Sequence, residues 1–224
     1  MKLTVLGKYG PYPAAGGGTS SYLLQGESTA VALDFGSGAL GRLARFVAAE
    51  NLRAVVLSHL HYDHICDLLP FSYCLKAKDK RVELIMPDTD CFQRKIIDDL
   101  DGFDIKFIKP NMRIGEFDFS FEKMRHPLES YSMRISSGGR TLFYSGDTAF
   151  CPEITEIAAG SDLLLLDCGR AENTPAPHLS LSEAAFIAKT LKAQTIATHL
   201  NPALNYVSPS PLVTVAREGE TYCV

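Results

Sequence analysis

Short apolar runs alternate with amphipathic segments along the whole chain of 224 residues. The apolar runs are rich in Val, Ile, Leu, Phe and Tyr and end at Gly, Pro or Asp, which is typical of β-strands. The amphipathic segments have the spacing of helices with one buried face. This alternation predicts an α/β fold in which residues 1–224 form a single domain without an internal linker.

The pattern predicts the position of each element. Strands are expected at Leu3–Leu6, Ser21–Gln25, Ala30–Phe35, Ala54–Leu57, Glu83–Met86, Phe103–Phe107, Phe117–Lys123, Tyr131–Ser136, Thr141–Ser145, Asp162–Asp167 and Thr195–Thr198. Helices are expected at Leu40–Glu50, Asp67–Lys76, Thr89–Leu100, Pro152–Ala158, Ser182–Leu191 and Ser210–Ala216. The glycine-rich segment Gly7–Thr19 is expected to be a loop, either a plain connection or a cover for a site.

Composition and charge limit which cellular compartment and which classes of binding partner are expected. The net charge of −4 comes without a basic block, so an extended nucleic-acid surface is not expected. The longest wholly apolar run, Ala184–Ala188, is far shorter than the ~18 residues of a membrane span. The N-terminus shows no signal-peptide pattern and the six cysteines no C-x-x-C pair. We therefore expect a cytoplasmic protein with reduced thiols and no membrane contact.

The strongest chemical signal lies in Ser58–His64, directly after the apolar strand Ala54–Leu57. This segment combines three imidazoles with one carboxylate, from His59, His61, His64 and Asp63. Burying so many polar groups together is costly unless something binds them, and a divalent transition metal accepts imidazole nitrogen and carboxylate oxygen. One short loop rarely completes a coordination sphere, so further ligands are expected from distant segments.

A weaker pattern occurs twice along the chain. Leu33–Gly36 precedes a helix and a strand that leads to His59, and Leu166–Gly169 precedes a helix and a strand that leads to His199. Each half is therefore expected to place a histidine at the carboxyl end of a strand, which is where open α/β sheets bind ligands.

The sequence His59-Leu60-His61-Tyr62-Asp63-His64 resembles the His-x-His-x-Asp-His signature of the metallo-β-lactamase-fold superfamily. Other segments resemble the remaining motifs of that family, in the family's order: Asp34 before the first helix, His126 before Pro127, Asp147 in Tyr144–Thr148, and His199 in Thr198–Leu200. The residues around Asp147 are similar to the ribonuclease Z-like branch. His178, the sixth histidine, resembles the extra histidine of the phosphodiesterase branch.

The resemblance implies a four-layered αββα sandwich with mixed sheets and a site for two divalent ions. Zinc is the default ion, with manganese, iron, nickel or cobalt as alternatives. The implied ligands are His59, His61 and His126 for one ion, Asp63, His64 and His199 for the other, and Asp147 as a bridge. Asp34 is expected to support the metal loop, and His178 and Asp63 to be catalytic.

We expect a phosphodiesterase that cleaves small or terminal phosphodiesters, such as a cyclic phosphate, a nucleotide or an RNA end, through a metal-bridging hydroxide. His178 favours this substrate class, because an alkoxide leaving group departs more easily when an imidazole protonates it. Full tRNA processing is not expected, since the interval from Asp147 to His178 leaves no room for the long basic arm of ribonuclease Z-like enzymes.

Two other functions stay open at this point. The same site could serve a lactonase, thioesterase or amide hydrolase, because one fold hosts many reactions. A non-catalytic metal-binding module is the second alternative, although no ligand of the motif set is missing. A homodimer is expected on base rate alone.

Overall fold

The computed structural model describes residues 1–175 and 177–224 and contains two seven-stranded sheets packed face to face. The strands are β1 (Lys2–Gly7), β2 (Ser21–Gln25), β3 (Ala30–Phe35), β4 (Ala54–Val56), β5 (Val82–Met86), β6 (Phe103–Phe107), β7 (Asn111–Ile114), β8 (Phe117–Lys123), β9 (Tyr131–Ser137), β10 (Arg140–Tyr144), β11 (Leu163–Asp167), β12 (Gln194–Thr198), β13 (Val213–Val215) and β14 (Thr221–Cys223). The helices are α1 (Ala39–Leu43), α2 (Tyr62–Ile65), α3 (Leu68–Ala77), α4 (Phe92–Asp98), α5 (Ile154–Ile157) and α6 (Leu181–Leu191).

Both sheets follow the same plan. The first has the strand order β14-β1-β2-β3-β4-β5-β6, and the second has the order β13-β12-β11-β10-β9-β8-β7. Four neighbouring strands are parallel in each sheet, β3 to β6 in the first and β10 to β13 in the second, and the other pairs are antiparallel. Both sheets are therefore mixed, as predicted.

Three apolar clusters hold four layers together. The cluster between the sheets joins residues such as Tyr22 and Leu33 from the first sheet to Phe119 and Leu165 from the second. A second cluster packs α1, α3 and α4 on the outer face of the first sheet, and a third packs α5 and α6 on the second. Because burial of apolar surface drives this packing, the central strands are buried on both faces. The predicted αββα sandwich is confirmed.

Two predicted helices differ from the structure. Ser210–Ala216 is not helical, because Val213–Val215 forms strand β13 and pairs with β12. Pro209 and Pro211 precede this strand and β-branched side chains fill it, so the local sequence favours extended backbone. The helix expected over Leu40–Glu50 ends at Leu43, and a separate 3-10 turn follows at Ala49–Asn51.

Besides β13, the pattern missed two further strands, β7 and β14. β7 is one edge of the second sheet, whose other edge is β13, and β14 is one edge of the first. Both are short and keep exposed positions, so they lack the continuous apolar run that marked the central strands. Among the helices of the described residues, none is long and apolar enough to cross a membrane.

Candidate metal centre

The predicted site residues come together at one edge of the sandwich. The loop after β4 carries His59 and His61, the loop after β10 carries Asp147, and His199 directly follows β12. His126 lies in the loop after β8. The carboxyl ends of the parallel strands thus meet at this edge, which is where open α/β sheets bind ligands.

The first group of possible ligands contains three imidazoles and one carboxylate. One ligand atom from each of His59, His61, His126 and Asp147 lies within 4.8 Å of the others. Nε2 of His59 is 3.1 Å from Nδ1 of His61 and 3.5 Å from Oδ2 of Asp147. Nδ1 of His126 contacts the carbonyl oxygen of Leu128 at 2.9 Å, which leaves Nε2 for the group.

The second group lies on the other side of Asp147. Ligand atoms of Asp63, His64 and His199 also lie within 4.8 Å of one another. Nε2 of His199 is 3.1 Å from Oδ2 of Asp63 and 3.1 Å from Oδ2 of Asp147. Nε2 of His64 is 3.4 Å from the same Asp147 oxygen. Asp147 therefore lies between the two groups, in the position expected of a shared ligand.

Buried polar atoms in the centre show that the residues fit a cation. The side chains of His64 and Asp147 are 0% and 2% exposed. Within residues 1–175 and 177–224, Nε2 of His64 and Oδ1 of Asp147 have no hydrogen-bond partner. Leaving such atoms unpaired costs about 1–3 kcal/mol each. Imidazole nitrogens and carboxylate oxygens are the ligands of zinc and similar ions, so a bound cation satisfies both atoms.

Asp34 fixes the orientation of the metal loop, the segment Ser58–His64. Its carboxylate accepts hydrogen bonds from the amide of Ser58 at 2.7 Å, the hydroxyl of Ser58 at 2.8 Å and the hydroxyl of Tyr144 at 2.5 Å. Nδ1 of His64 donates to the same carboxylate at 2.8 Å, so that ring presents Nε2 to the centre. Asp34 has a left-handed φ of 54°, which is uncommon for a residue other than glycine.

Asp167 is a site residue that the sequence analysis did not assign. Its Oδ2 accepts hydrogen bonds from Nδ1 of His178 at 2.9 Å and from the amide of Thr148 at 3.1 Å. Its Oδ1 accepts from the amide of Gly169 at 2.8 Å and lies 3.4 Å from Nδ1 of His199. The repeated Leu-Asp pattern was the available signal, because Asp34 and Asp167 lie at the ends of corresponding strands and each approaches an imidazole Nδ1.

The loop Gly7–Thr19 covers part of the centre. The amide of Leu200 donates to the carbonyl of Lys8 at 2.7 Å, and the amide of Gly10 donates to the carbonyl of Leu200 at 3.2 Å. These bonds flank His199, which has a left-handed φ of 52°. A Cβ at Gly10 would lie 2.1 Å from Nε2 of His199, so only glycine allows the loop to approach this closely. Of the two alternatives for this loop, the structure supports a cover.

The two groups differ in their affinity for protons. Burial and neighbouring imidazoles lower the pKa of His59 well below its ordinary value. Burial also acts to lower the pKa of His64 and His199, but Asp147 and other carboxylates outweigh it and raise both pKa values well above normal. A histidine must be neutral to bind a metal, so cation binding by the second group displaces protons.

Comparisons with known proteins agree with this geometry. The family described as "Beta-lactamase superfamily domain" matches residues 31–200, a range that contains every predicted metal ligand. The chain belongs to the β-lactamase superfamily. The resemblance noted in the sequence is confirmed at the level of the family.

Relatives of known name lie within the same superfamily. The Bacillus subtilis (strain 168) protein named "Probable metallo-hydrolase YhfI" is 34% identical over 213 residues, which cover 89% of this chain and 87% of YhfI. The crystal structure of YhfI, described as a metallo-β-lactamase fold protein, has a TM-score of 0.89 at 30% identity and covers 99% of this chain and 98% of that one. The predicted enzyme class, a metal-dependent hydrolase, agrees with this name.

Two further proteins are less similar. The protein named "Ribonuclease Z" of Mycobacterium bovis (strain BCG / Pasteur 1173P2) is 26% identical over 244 residues, covering 91% of this chain and 87% of that protein. The crystal structure of a diphosphatase from the PhnP family has a TM-score of 0.79 at 22% identity and covers 99% of this chain and 96% of that one. The diphosphatase shows the shared fold alone.

Gly10→Ala is expected to weaken metal binding by the second group, because the new methyl group overlaps the ring of His199. We expect the bound metal to fall from two equivalents toward one, with about tenfold or greater loss of affinity for the weaker ion. Elemental analysis and chelator competition measure both quantities. Gly41→Ala is the control, since nothing lies within 4 Å of its added Cβ. Unchanged metal content and affinity in Gly10→Ala would contradict this role of the loop.

Asp34→Asn is expected to lower both stability and metal affinity, because an amide group faces four donors that the carboxylate now satisfies. We expect a loss of about 3 kcal/mol in unfolding free energy and a loss of metal affinity of about 10–100-fold. Chemical denaturation and chelator competition test this. Asp118→Asn, which breaks an exposed ion pair with Arg113, should stay within about 0.5 kcal/mol of the parent. Equal effects of the two variants would refute the support role.

Proposed function

We propose that this chain is a phosphodiesterase that uses two divalent metal ions, zinc first among the candidates, to hydrolyse small or terminal phosphodiesters. One observation carries the proposal beyond a general hydrolase: a histidine held by a buried carboxylate lies beside the metal groups. The ring of His178 stacks on that of His199 with centroids 4.8 Å apart, and its Nδ1 is 2.9 Å from Asp167. The ribonuclease Z of M. bovis, similar over most of its length, supports a phosphodiester substrate.

His178 has the features of a general acid. Burial acts to lower the pKa of His178, but the charge and hydrogen bond of Asp167 outweigh it and raise that pKa above its ordinary value. The carboxylate of Asp167 therefore favours the protonated form of this imidazole. Because Asp167 holds Nδ1, we assign Nε2 as the atom that gives its proton to the leaving oxygen. The side chain is 21% exposed and is therefore partly accessible to a substrate.

The remaining residues divide the other tasks. His59, His61 and His126 would hold one cation, Asp63, His64 and His199 the other, and Asp147 both. When bound, the two cations would lower the pKa of water and neutralise negative charge on the phosphoryl oxygens. Asp63, 8% exposed at the edge of the second group, would accept the proton of the attacking water. Asp34 and Asp167 are positioning residues, because each acts through an imidazole.

The short segment between Asp147 and His178 favours a small substrate or a free end. Helix α5 and strand β11 lie in this interval, and both contribute buried residues to the third apolar cluster. The net charge of −4 gives little affinity for a long polyanion, since such affinity comes largely from lysine and arginine contacts to phosphate. We therefore place a nucleotide, a cyclic phosphate or an RNA end among the substrates, rather than a folded RNA.

His178→Ala is expected to slow alkyl phosphodiesters far more than aryl ones. A methyl nucleotide ester releases a basic alkoxide that needs a proton, whereas p-nitrophenolate is a stable anion. We expect kcat for thymidine 5′-(methyl phosphate) to fall by about 10²–10⁴-fold, and hydrolysis of bis(p-nitrophenyl) phosphate to fall much less. Chromatography and absorbance follow the two reactions, and metal content should stay at two equivalents.

Two outcomes would contradict the proposal. Equal losses on both substrates with intact metal would show that His178 is not the leaving-group acid. Turnover by the parent enzyme of a lactone or a thioester, but of no phosphodiester, would assign the site to carboxylic or thiol esters.

Asp167→Asn should reproduce the leaving-group dependence of His178→Ala in milder form, because it loosens the same imidazole.

A further inference from the structure

A cavity beside His178 has no part in the proposed chemistry so far. It has a volume of about 510 Å³, within the range of small-molecule pockets, and its wall includes Phe150, Arg170, Glu183 and Phe186. Phe186, on the outer face of α6, is 56% exposed. A single exposed aromatic residue is ordinary on a protein surface, so the surroundings of this residue decide whether it has a role.

The cavity contains an aromatic pair. The rings of Phe150 and Phe186 lie 6.1 Å apart, centroid to centroid, at an angle of 67°. Because Phe186 is exposed, this edge-to-face pair presents aromatic surface on which a flat ligand can pack. Polar groups of Glu172, Ser182 and Glu183 line the same cavity and can accept or donate hydrogen bonds. An aromatic surface with polar groups around it matches a heteroaromatic base, which has an apolar face and a polar edge.

One direct contact and one indirect connection link the cavity wall to the proposed acid. The guanidinium of Arg170 donates from Nε to the carbonyl of His178 at 2.9 Å, and its Nη2 is 2.6 Å from Glu183. The amide of Thr148 donates to Asp167 Oδ2, the oxygen that also holds His178, and Phe150 follows Thr148 by two residues. The cavity wall therefore adjoins the backbone of His178 and the loop whose Thr148 amide holds Asp167.

We propose that this cavity binds the base of a nucleotide substrate and that Phe150 and Phe186 determine specificity by stacking on it. The inference rests on the proposed phosphodiesterase function and narrows its substrate class to phosphodiesters that carry a nucleoside. The chemical step remains the one proposed above, in which water attacks phosphorus and the P–O bond to the leaving oxygen breaks. The aromatic pair holds the nucleoside whose oxygen lies near His178, and stacking tolerates any base because every base has a π-face.

The test compares two esters that differ only in the base. Thymidine 5′-(methyl phosphate) and its analogue without a base are hydrolysed by the parent enzyme, Phe186→Ala, Phe150→Ala and Phe92→Ala. Phe92 is a matched control, since it is 66% exposed on α4 in the layer that covers the other sheet. We expect the parent to prefer the base-bearing ester, and the preference to fall by about 5- to 150-fold in Phe186→Ala.

The kinetic constants distinguish a role of Phe186 in substrate specificity from a general structural effect of its substitution. The loss should lie in KM for the base-bearing ester, with kcat and the base-free ester unchanged, and Phe186→Trp should restore the preference. Equal losses on both esters, or a parent enzyme without preference for the base, would overturn the inference. A Phe92→Ala variant that loses the preference to the same extent would also overturn it.

A binding experiment separates this inference from the proposed function. Titration of thymidine and of base-free deoxyribose, followed by NMR saturation transfer on the metal-loaded protein, requires no turnover. Binding of thymidine alone, weakened in Phe186→Ala and intact in Phe92→Ala, supports the cavity even if neither ester is hydrolysed, in which case the phosphodiesterase proposal fails by itself. No thymidine binding to the parent at millimolar concentration would overturn the inference.

Discussion

The structure depends on one electrostatic constraint, the burial of ionisable side chains around Asp147. Six imidazoles and three carboxylates meet there, and six of these nine groups are buried: His59, His64, His199, Asp63, Asp147 and Asp167. Burial acts to raise the pKa of Asp147, but His199, His64 and His59 lower it well below its ordinary value. A carboxylate that stays charged in the interior needs positive charge beside it. Protons on the second group can provide this charge, and bound cations would provide it in their place.

Each sheet supports the buried imidazoles with an aspartate at the end of one of its strands. Asp34 lies at the end of β3 in the first sheet, and Asp167 lies at the end of β11 in the second. Each carboxylate approaches Nδ1 of an imidazole, His64 in one case and both His178 and His199 in the other. The fold thus supports the metal groups from both halves, and Asp167 additionally connects them to the proposed acid. In the proposed mechanism, Asp167 therefore serves both the geometry of a metal ligand and the orientation of the acid.

Periodicity was sufficient for the central strands, and motifs were sufficient to find the residues that gather in the candidate metal groups, because both signals depend on local composition. Continuous apolar runs such as Leu163–Leu166 are absent from β7 and β14, so these strands could not be predicted from their own sequence. They form because a neighbouring strand pairs with each of them, and β13 is likewise extended because it pairs with β12. Gly10 could not be assigned from sequence, since its role is a contact with His199 across the chain. Asp167 was visible in the repeated pattern, but its bond to His178 needed the fold.

The most direct measurement is the anomalous scattering of a zinc-loaded crystal. The account predicts two peaks about 3.5–4 Å apart on either side of Asp147. His59, His61 and His126 should lie about 2.0–2.2 Å from one peak, and Asp63, His64 and His199 from the other. A single peak, or peaks coordinated by residues outside these groups, would contradict the two-cation centre.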